Sequence, residues 1–278
     1  MFKAHYDTII IGARCAGSAT ALQLARTGQR VLLVEREMDP QDTLSTHALM
    51  RPAVALLRNW GLLDQIAAST PAVCATQFIY GEERLTIPVR PAPGMAGLYA
   101  PRRWVLDKVL RDAACDAGAS LRLGTRCTGL VHSDKGAVIG VQLTDQSGRT
   151  ELVFADRVIG ADGRSSTVAK YAEAPYPAWS DHRSAVCYAY VDGLPNEGYR
   201  WFYSASAYAG LIPTNNGQHC LFTGGTPDLF RETFTPDAFE GMMQILSIWE
   251  PGMAADLRHR GPSERVRRFA GAPGFIRQ

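Results

Sequence analysis

Several things are missing from this 278-residue sequence. It has no run of about 18 apolar residues, so no transmembrane helix is expected. Its opening, MFKAHYD, lacks the apolar core of a leader peptide, and a cytoplasmic location is expected. Lys and Arg number 29 against 27 Asp and Glu, a net charge of +2, so no global electrostatics argue for nucleic acid. Cys15, Cys74, Cys115, Cys127, Cys187 and Cys220 form no CxxC pair, and the six histidines do not cluster. Neither a metal site nor a disulfide framework is expected. Repeats and low-complexity tracts are absent too, which excludes solenoids and disordered tails. What remains is a globular chain with 46% apolar and 20% charged residues, long enough for one large domain or two modest ones.

The most informative stretch is Asp7 to Glu35. Thr8 to Ile11 is a β-branched, apolar run that predicts a buried parallel strand. Gly12, Arg14 and Gly17 follow at dinucleotide-fingerprint spacing, and Ala19 to Thr27 predicts a helix that stops at Gly28. Val31 to Val34 predicts a second strand, ended by Glu35. Strand, tight turn, helix, strand and acid make a βαβ unit that holds a dinucleotide. Gly12 permits the turn, and Gly17 permits close packing of the helix on the sheet. The helix N-terminus offers N–H groups to a pyrophosphate. Glu35 suits ribose hydroxyls and disfavours a 2′-phosphate. Arg14 replaces the usual middle glycine, so its side chain must point away from the phosphates. Cys15 stands at a helix start, where a thiolate would be stabilised; a small buried residue beneath the turn is the plainer reading.

Texture divides the rest. Residues 1–72 and 100–173 read as α/β, with helices near 44–66, at Arg103 to Ala117 and from about Ser166 to Tyr171. Residues 73–99 and 174–278 are β-rich. Thr76 to Tyr80 and Arg84 to Val89 predict a hairpin, Val186 to Val191, Arg200 to Ser204, Leu211 to Ile212 and His219 to Thr223 antiparallel strands, and Pro236 to Trp249 a helix. Asn215-Asn216-Gly217 predicts a hairpin turn. One domain is therefore threaded through another. At period two, Tyr199, Trp201 and Tyr203 share one strand face, and Tyr188 and Tyr190 share another. They either line a pocket for a planar or hydrophobic substrate or pack within the sheet. Arg258, Arg260, Arg265, Arg267 and Arg268 make the tail basic and read as a solvated helical face.

A second signal is VIGADGRSS at 158–166, a buried strand ending in glycines, an acid and a Ser-rich helix start. Asp162 there reads as a helix N-cap. Taken in order, GARCAGS, ARTGQRVLLVER, DTLSTH, APRRWVLD and VIGADGRSS resemble the FAD-dependent monooxygenases related to p-hydroxybenzoate hydroxylase. Geranylgeranyl-reductase-like flavoproteins share that architecture. The resemblance covers essentially the whole chain. It implies an α/β fold with a Rossmann-like FAD-binding domain of glutathione-reductase type, interleaved with a mainly antiparallel β substrate domain.

The resemblance also implies roles. Gly12, Arg14, Cys15, Ala16 and Gly17 would lie along the FAD pyrophosphate, and Glu35 and Arg36 by the adenosine ribose. Arg103, in the RxxLD pattern, would reach the phosphate and ribityl region, and Cys127 or Thr128 the adenine. Asp162 and Gly163 would serve both FAD and NAD(P)H. Thr46 and His47 would lie on the loop passing the flavin ring, where His47 either tunes the ring or has no catalytic job. Tyr188, Tyr190, Trp201 and Tyr203 are the substrate candidates. The implied activity is hydroxylation of an aromatic or hydrophobic small molecule with NAD(P)H and O₂. The alternatives are a flavin-dependent reductase of prenyl or other double bonds and a non-catalytic FAD-binding chain. The family's third fingerprint, a Gly-Asp pair after a final buried strand, is not found in these 278 residues, which predicts a C-terminally truncated member.

Overall fold

The computed structural model describes residues 5–234 and 237–277. In chain order these form β1 (His5–Ile11), α1 (Cys15–Arg26), β2 (Val31–Val34), α2 (Arg51–Asn59), α3 (Leu63–Ala67), β3 (Ala75–Tyr80), β4 (Glu83–Pro88), α4 (Arg103–Asp116), β5 (Ser120–Arg122) and β6 (Thr125–His132). There follow β7 (Val138–Asp145), β8 (Thr150–Gly160), α5 (Thr167–Tyr171), β9 (Ala178–Ser180), β10 (Ala185–Val191), β11 (Tyr199–Tyr203), β12 (Ala207–Pro213) and β13 (His219–Gly225). Last come α6 (Pro227–Phe234), α7 (Ala238–Leu246), α8 (Pro251–Arg260), β14 (Arg267–Phe269) and β15 (Gly274–Ile276). The start of the helix expected from Pro236 lies outside the described residues.

The chain divides into two compact units. The first takes the chain up to Asp42, Arg103–Ala178 and the end from Ile276; the second takes Thr43–Arg102 and Trp179–Phe275. The first crossing therefore falls after Asp42 rather than at 72. Residues 43–72 belong with the second unit because their partners are there. Leu49 bridges Tyr99, and the Asn215 amide donates to Ser69 and Thr70.

In the first unit, one six-stranded sheet runs in the order β5-β2-β1-β8-β7-β6. β1 pairs in parallel with both β2 and β8, so Ile11 stands between Val34 and Gly160. All four residues of β2 are buried, as the unbroken apolar runs demand of a strand covered on both faces. The carboxyl ends of β2, β1 and β8 thus lie side by side, and Glu35, Gly12 and Ala161 follow them directly. The two short strands expected at 151–154 and 157–159 are one strand, β8, whose first half pairs with β7 and whose second half pairs with β1.

In the second unit, a seven-stranded sheet runs β14-β10-β13-β12-β11-β3-β4. One face buries Cys187, Ala189, Val191, Phe202, Ala209, Leu211 and Leu221 against Phe234, Met242, Met243, Leu246 and Leu257 of α6, α7 and α8. That apolar burial is the main stabilising term of this unit. The basic tail is not one helical face: Arg258 and Arg260 lie on α8, paired with Glu240 and Asp256, whereas Arg267 and Arg268 lie on β14.

His219 opens β13 at 5% exposure, and burial pushes its pKa down to about 4. The folded chain therefore holds the ring neutral, while the unfolded chain takes up a proton near pH 6.5. Stability should be intact above that pH and fall as pH drops toward 4, by about 2 kcal/mol between pH 7 and pH 5. Urea unfolding at the two pH values checks this; His219→Gln should lose that part of the pH slope.

Candidate functional site

The turn after β1 explains its own sequence. Gly12 sits at φ +104°, and a Cβ there would stand 2.5 Å from the Ala161 carbonyl oxygen. A Cβ on Gly17 would stand 1.8 Å from the Gly12 carbonyl oxygen. The two glycines and Ala161 therefore interlock backbone against backbone. Arg14, by contrast, is extended at φ −90°, ψ −171°, which any residue adopts, so the turn tolerates a side chain there. Buried Ser18 braces the turn by donating to the Ala13 carbonyl at 2.9 Å.

Helix α1 then presents its first N–H groups at the carboxyl end of the sheet. The Cys15 N–H is taken by Asp107. Those of Ala16 and Gly17 have no acceptor among the described residues. Unpaired N–H groups at a helix N-terminus are an anion site. Beside them the Glu35 carboxylate accepts from the Ala13 N–H at 2.8 Å and from the Glu37 N–H at 3.2 Å. A carboxylate has about four acceptor positions, so room remains for hydroxyl donors. Arg36 is exposed and pairs with Glu37, not with the turn.

Across the helix start stands Asp107 of α4. Its Oδ1 accepts from the Cys15 N–H at 3.0 Å and the Cys15 thiol at 2.9 Å. Arg103 grips the same carboxylate through Nε at 3.3 Å and through Nη2 at 3.0 Å to each oxygen. Cys15 is therefore no stabilised thiolate. Burial, then the Asp107 charge, push its pKa up to about 12, and the helix start is outweighed. Cys127 is a buried wall residue in the cluster with Ile11, Val34 and Val168, and burial raises its thiol pKa too. The ladder shifts register between Cys127 and Gly129, leaving Thr128 as the bulged residue.

Asp162 caps α5. Its Oδ1 accepts from the Ser166 hydroxyl at 2.5 Å, and its Oδ2 accepts from the N–H groups of Thr167 and Val168 at 2.6 and 3.2 Å. Gly163 makes the turn at φ +86°.

Thr46 and His47 belong to the second unit. Thr46 is exposed. His47 is buried at φ +61°, a conformation non-glycine residues seldom adopt. Its Nε2 lies 2.6 Å from the Tyr190 hydroxyl, with the rings stacked at 5.7 Å. The Arg102 guanidinium covers the same tyrosine at 3.4 Å from its centroid. The cofactor candidate and the substrate candidate are thus direct partners.

The aromatic residues share one sheet face, not two. Tyr188 pairs with Phe222, Phe222 with Gly210, and Gly210 with Trp201, so the three aromatic side chains project from one side, opposite the helices. Tyr190, Tyr199 and Tyr203 follow at period two. Gly210 makes the surface continuous: a Cβ there would lie 2.1 Å from the Phe222 ring. Gly224 does the same under Tyr208, at 2.5 Å from its hydroxyl. Trp201, Tyr203 and Tyr208 stay half-buried, whereas Tyr188, Tyr190 and Tyr199 are covered.

The model for the FAD-binding domain matches residues 5–223. The chain belongs to the FAD-binding domain family. FAD is accordingly its cofactor, and the glycine turn, the unpaired N–H groups and Glu35 fit a dinucleotide. Digeranylgeranylglycerophospholipid reductase of Methanosarcina mazei is 32% identical over 175 residues, 61% of this chain and 40% of that protein. The 6-methylpretetramide 4-monooxygenase of Streptomyces rimosus is 31% identical over 179 residues, 62% of this chain and 42% of that protein. The chain thus spans about 40% of the length of the curated relatives it matches. Among solved structures, a flavoprotein/dehydrogenase from Cytophaga hutchinsonii superposes at TM-score 0.82 with 19% identity, over 99% of this chain and 68% of that one. PqsL, a probable FAD-dependent monooxygenase from Pseudomonas aeruginosa, superposes at 0.76 with 17% identity, over 96% and 73%. These superpositions establish the family fold. Two functional features escaped the sequence reading of single residues. Asp107 lies 92 positions from its partner Cys15, and the role of Gly210 depends on cross-strand register; the RxxLD spacing was the only signal for the former.

Proposed function

We propose that this chain carries the FAD-binding and substrate-facing parts of a monooxygenase that uses NAD(P)H and O₂ on an aromatic or hydrophobic small molecule. The observation that supports it most is the set of unpaired N–H groups at α1, beside Glu35 at the carboxyl ends of the adjacent parallel strands β1 and β2, with Arg103 of α4 held at the same helix start through Asp107. The relatives named as monooxygenases support the reaction type. Bound FAD would supply the redox chemistry with NAD(P)H and O₂. The chain's own residues bind and orient. The N–H groups of Ala16 and Gly17 would hold pyrophosphate oxygens, with Arg14 at their edge. Glu35 would hold the ribose, Arg103 a phosphate, Cys127 the adenine edge and Gly163 the close turn. In the second unit, Trp201 and Tyr203 would meet an apolar substrate, while Tyr188 and Tyr190, tied to His47, form the covered end of that face. The substrate is taken to be uncharged where it meets these rings.

The relatives named as reductases favour a second reading, saturation of a prenyl double bond, for which the same apolar face would serve. A cytoplasmic location is part of the proposal, supported by six cysteines that are all free. No described helix is long and apolar enough to cross a membrane.

Flavin bands in the absorbance spectrum of the purified protein test the cofactor site. NADH-dependent formation of a hydroxylated product in air tests the reaction; anaerobic alkene reduction in its place favours the reductase. Glu35→Ala should weaken FAD binding at least about tenfold, because hydrogen bonds to a charged group contribute roughly 1.5–3 kcal/mol each. Glu35→Gln should weaken it less, since its amide oxygen can still accept from Ala13. Equal flavin affinity of Glu35→Ala and wild type in a fluorescence titration rules the role out.

A further inference from the structure

Asp107 is 1% exposed and ion-paired with Arg103. Such a group is tolerated only when its acceptor positions are filled. Here they are filled from two directions. The first turn of α4 supplies Arg103, whose side chain is 15% exposed, and the start of α1 supplies the N–H and thiol of Cys15. Oδ1 is the shared point of both. The guanidinium commits Nε and Nη2 to the carboxylate and also meets the Cys15 side chain, while Nη1 makes no bond to an oxygen among the described residues. The α4 start is itself fixed, because the Arg103 N–H donates to Asp42 at 3.0 Å.

We propose that Asp107 is a positioning residue for the cofactor phosphates: it locks Arg103 and the helix α1 start into one cradle that leaves Nη1 and the N–H groups of Ala16 and Gly17 for the pyrophosphate. This rests on the FAD site proposed above. A guanidinium so forked loses little further freedom when it meets a phosphate oxygen. The carboxylate has a second effect at the same place. Together with burial, the larger cause, it keeps the Cys15 thiol protonated and donating. A thiolate at that position would repel a doubly charged pyrophosphate; a thiol does not.

The test uses the purified protein in four forms: wild type, Asp107→Ala, Arg103→Ala and the double variant. FAD dissociation constants come from flavin fluorescence, and each unfolding midpoint is taken without FAD. Each single change should weaken FAD at least about tenfold, and the loss in the double variant should fall well short of the product of the two single losses. Losses that multiply in the double variant, while wild type binds FAD, overturn the proposal and leave the FAD site standing. A wild type that binds no FAD removes the site and the proposal together. Asp107→Asn keeps the acceptor and removes the charge, which covers the case of an Asp107→Ala chain that does not fold. In FAD-free Asp107→Asn at pH 8, iodoacetamide should label Cys15 at least about fivefold faster than in wild type, as mapped by peptide mass. An unchanged Cys15 rate together with wild-type FAD affinity in Asp107→Asn overturns the proposal.

Discussion

Gly17→Ala should produce a chain that is destabilised by about 3 kcal/mol or more and binds FAD at least about a hundredfold more weakly. The cause is local and rigid. A Cβ at this position would stand 1.8 Å from the Gly12 carbonyl oxygen and 3.2 Å from the Ala161 Cβ. None of these atoms is the end of a flexible side chain, so relief requires α1 to move off the sheet. That movement takes the N–H groups of Ala16 and Gly17 away from any phosphate. It also disturbs the Cys15 N–H to Asp107 bond. Gly252→Ala is the control. Gly252 lies in α8, where an added Cβ would have nothing within 4 Å and the backbone has no positive φ. Alanine there should be neutral or stabilising by up to about 1 kcal/mol, since it restricts the unfolded chain and favours helix. Urea unfolding of both variants and a flavin titration of each decide the matter. A Gly17→Ala chain with wild-type stability and wild-type flavin affinity would sink the interlocked-turn account.

The contrast between these two glycines shows what the sequence could reveal. Gly12, Gly17 and Glu35 were legible because their constraints are local: a turn, a close helix and a strand end, all within one βαβ unit. Arg14 looked like a departure from the fingerprint, and the extended backbone at that position removes the difficulty. Non-local constraints were harder to read. Residues 43–72 contain two helices and look like more of the α/β unit, but Leu49 and Ser69 find their partners at Tyr99 and Asn215. Period two placed Tyr199, Trp201 and Tyr203 on one strand face. It carries no information about the register between β10, β13, β12 and β11, which joins them to Tyr188 and Tyr190. The prolines at the starts of α6 and α8 resemble breakers, although proline is favoured in a first helical turn. Cys15 is the clearest case of a local rule losing to tertiary structure, since burial, and then a carboxylate from α4, outweigh the helix start.

Asp162→Ala is expected to lower stability by about 2 kcal/mol, to loosen FAD and to slow reduction of the flavin by NAD(P)H. The stability loss follows from the cap. Asp162 holds the Ser166 hydroxyl and the N–H groups of Thr167 and Val168, and Ser166 in turn accepts from the Ala169 N–H at 3.0 Å. α5 has five residues, so its first turn is most of the helix. Freeing that turn releases Val168, which packs with Ile11 and Val34 in the core. The flavin effect follows from the neighbourhood: the Asp162 Cα and the Ala161 carbonyl are the nearest atoms to the open side of Gly12. The reduction effect depends on the charge, and Asp162→Asn separates the two. Asparagine keeps an acceptor oxygen for the Thr167 and Val168 N–H groups and can donate to the Ser166 hydroxyl, so much of the stability and of the FAD affinity should return. If the carboxylate also serves the nicotinamide, anaerobic stopped-flow reduction stays slow in Asp162→Asn. A normal reduction rate in that variant would leave Asp162 as the cap of α5 and nothing more.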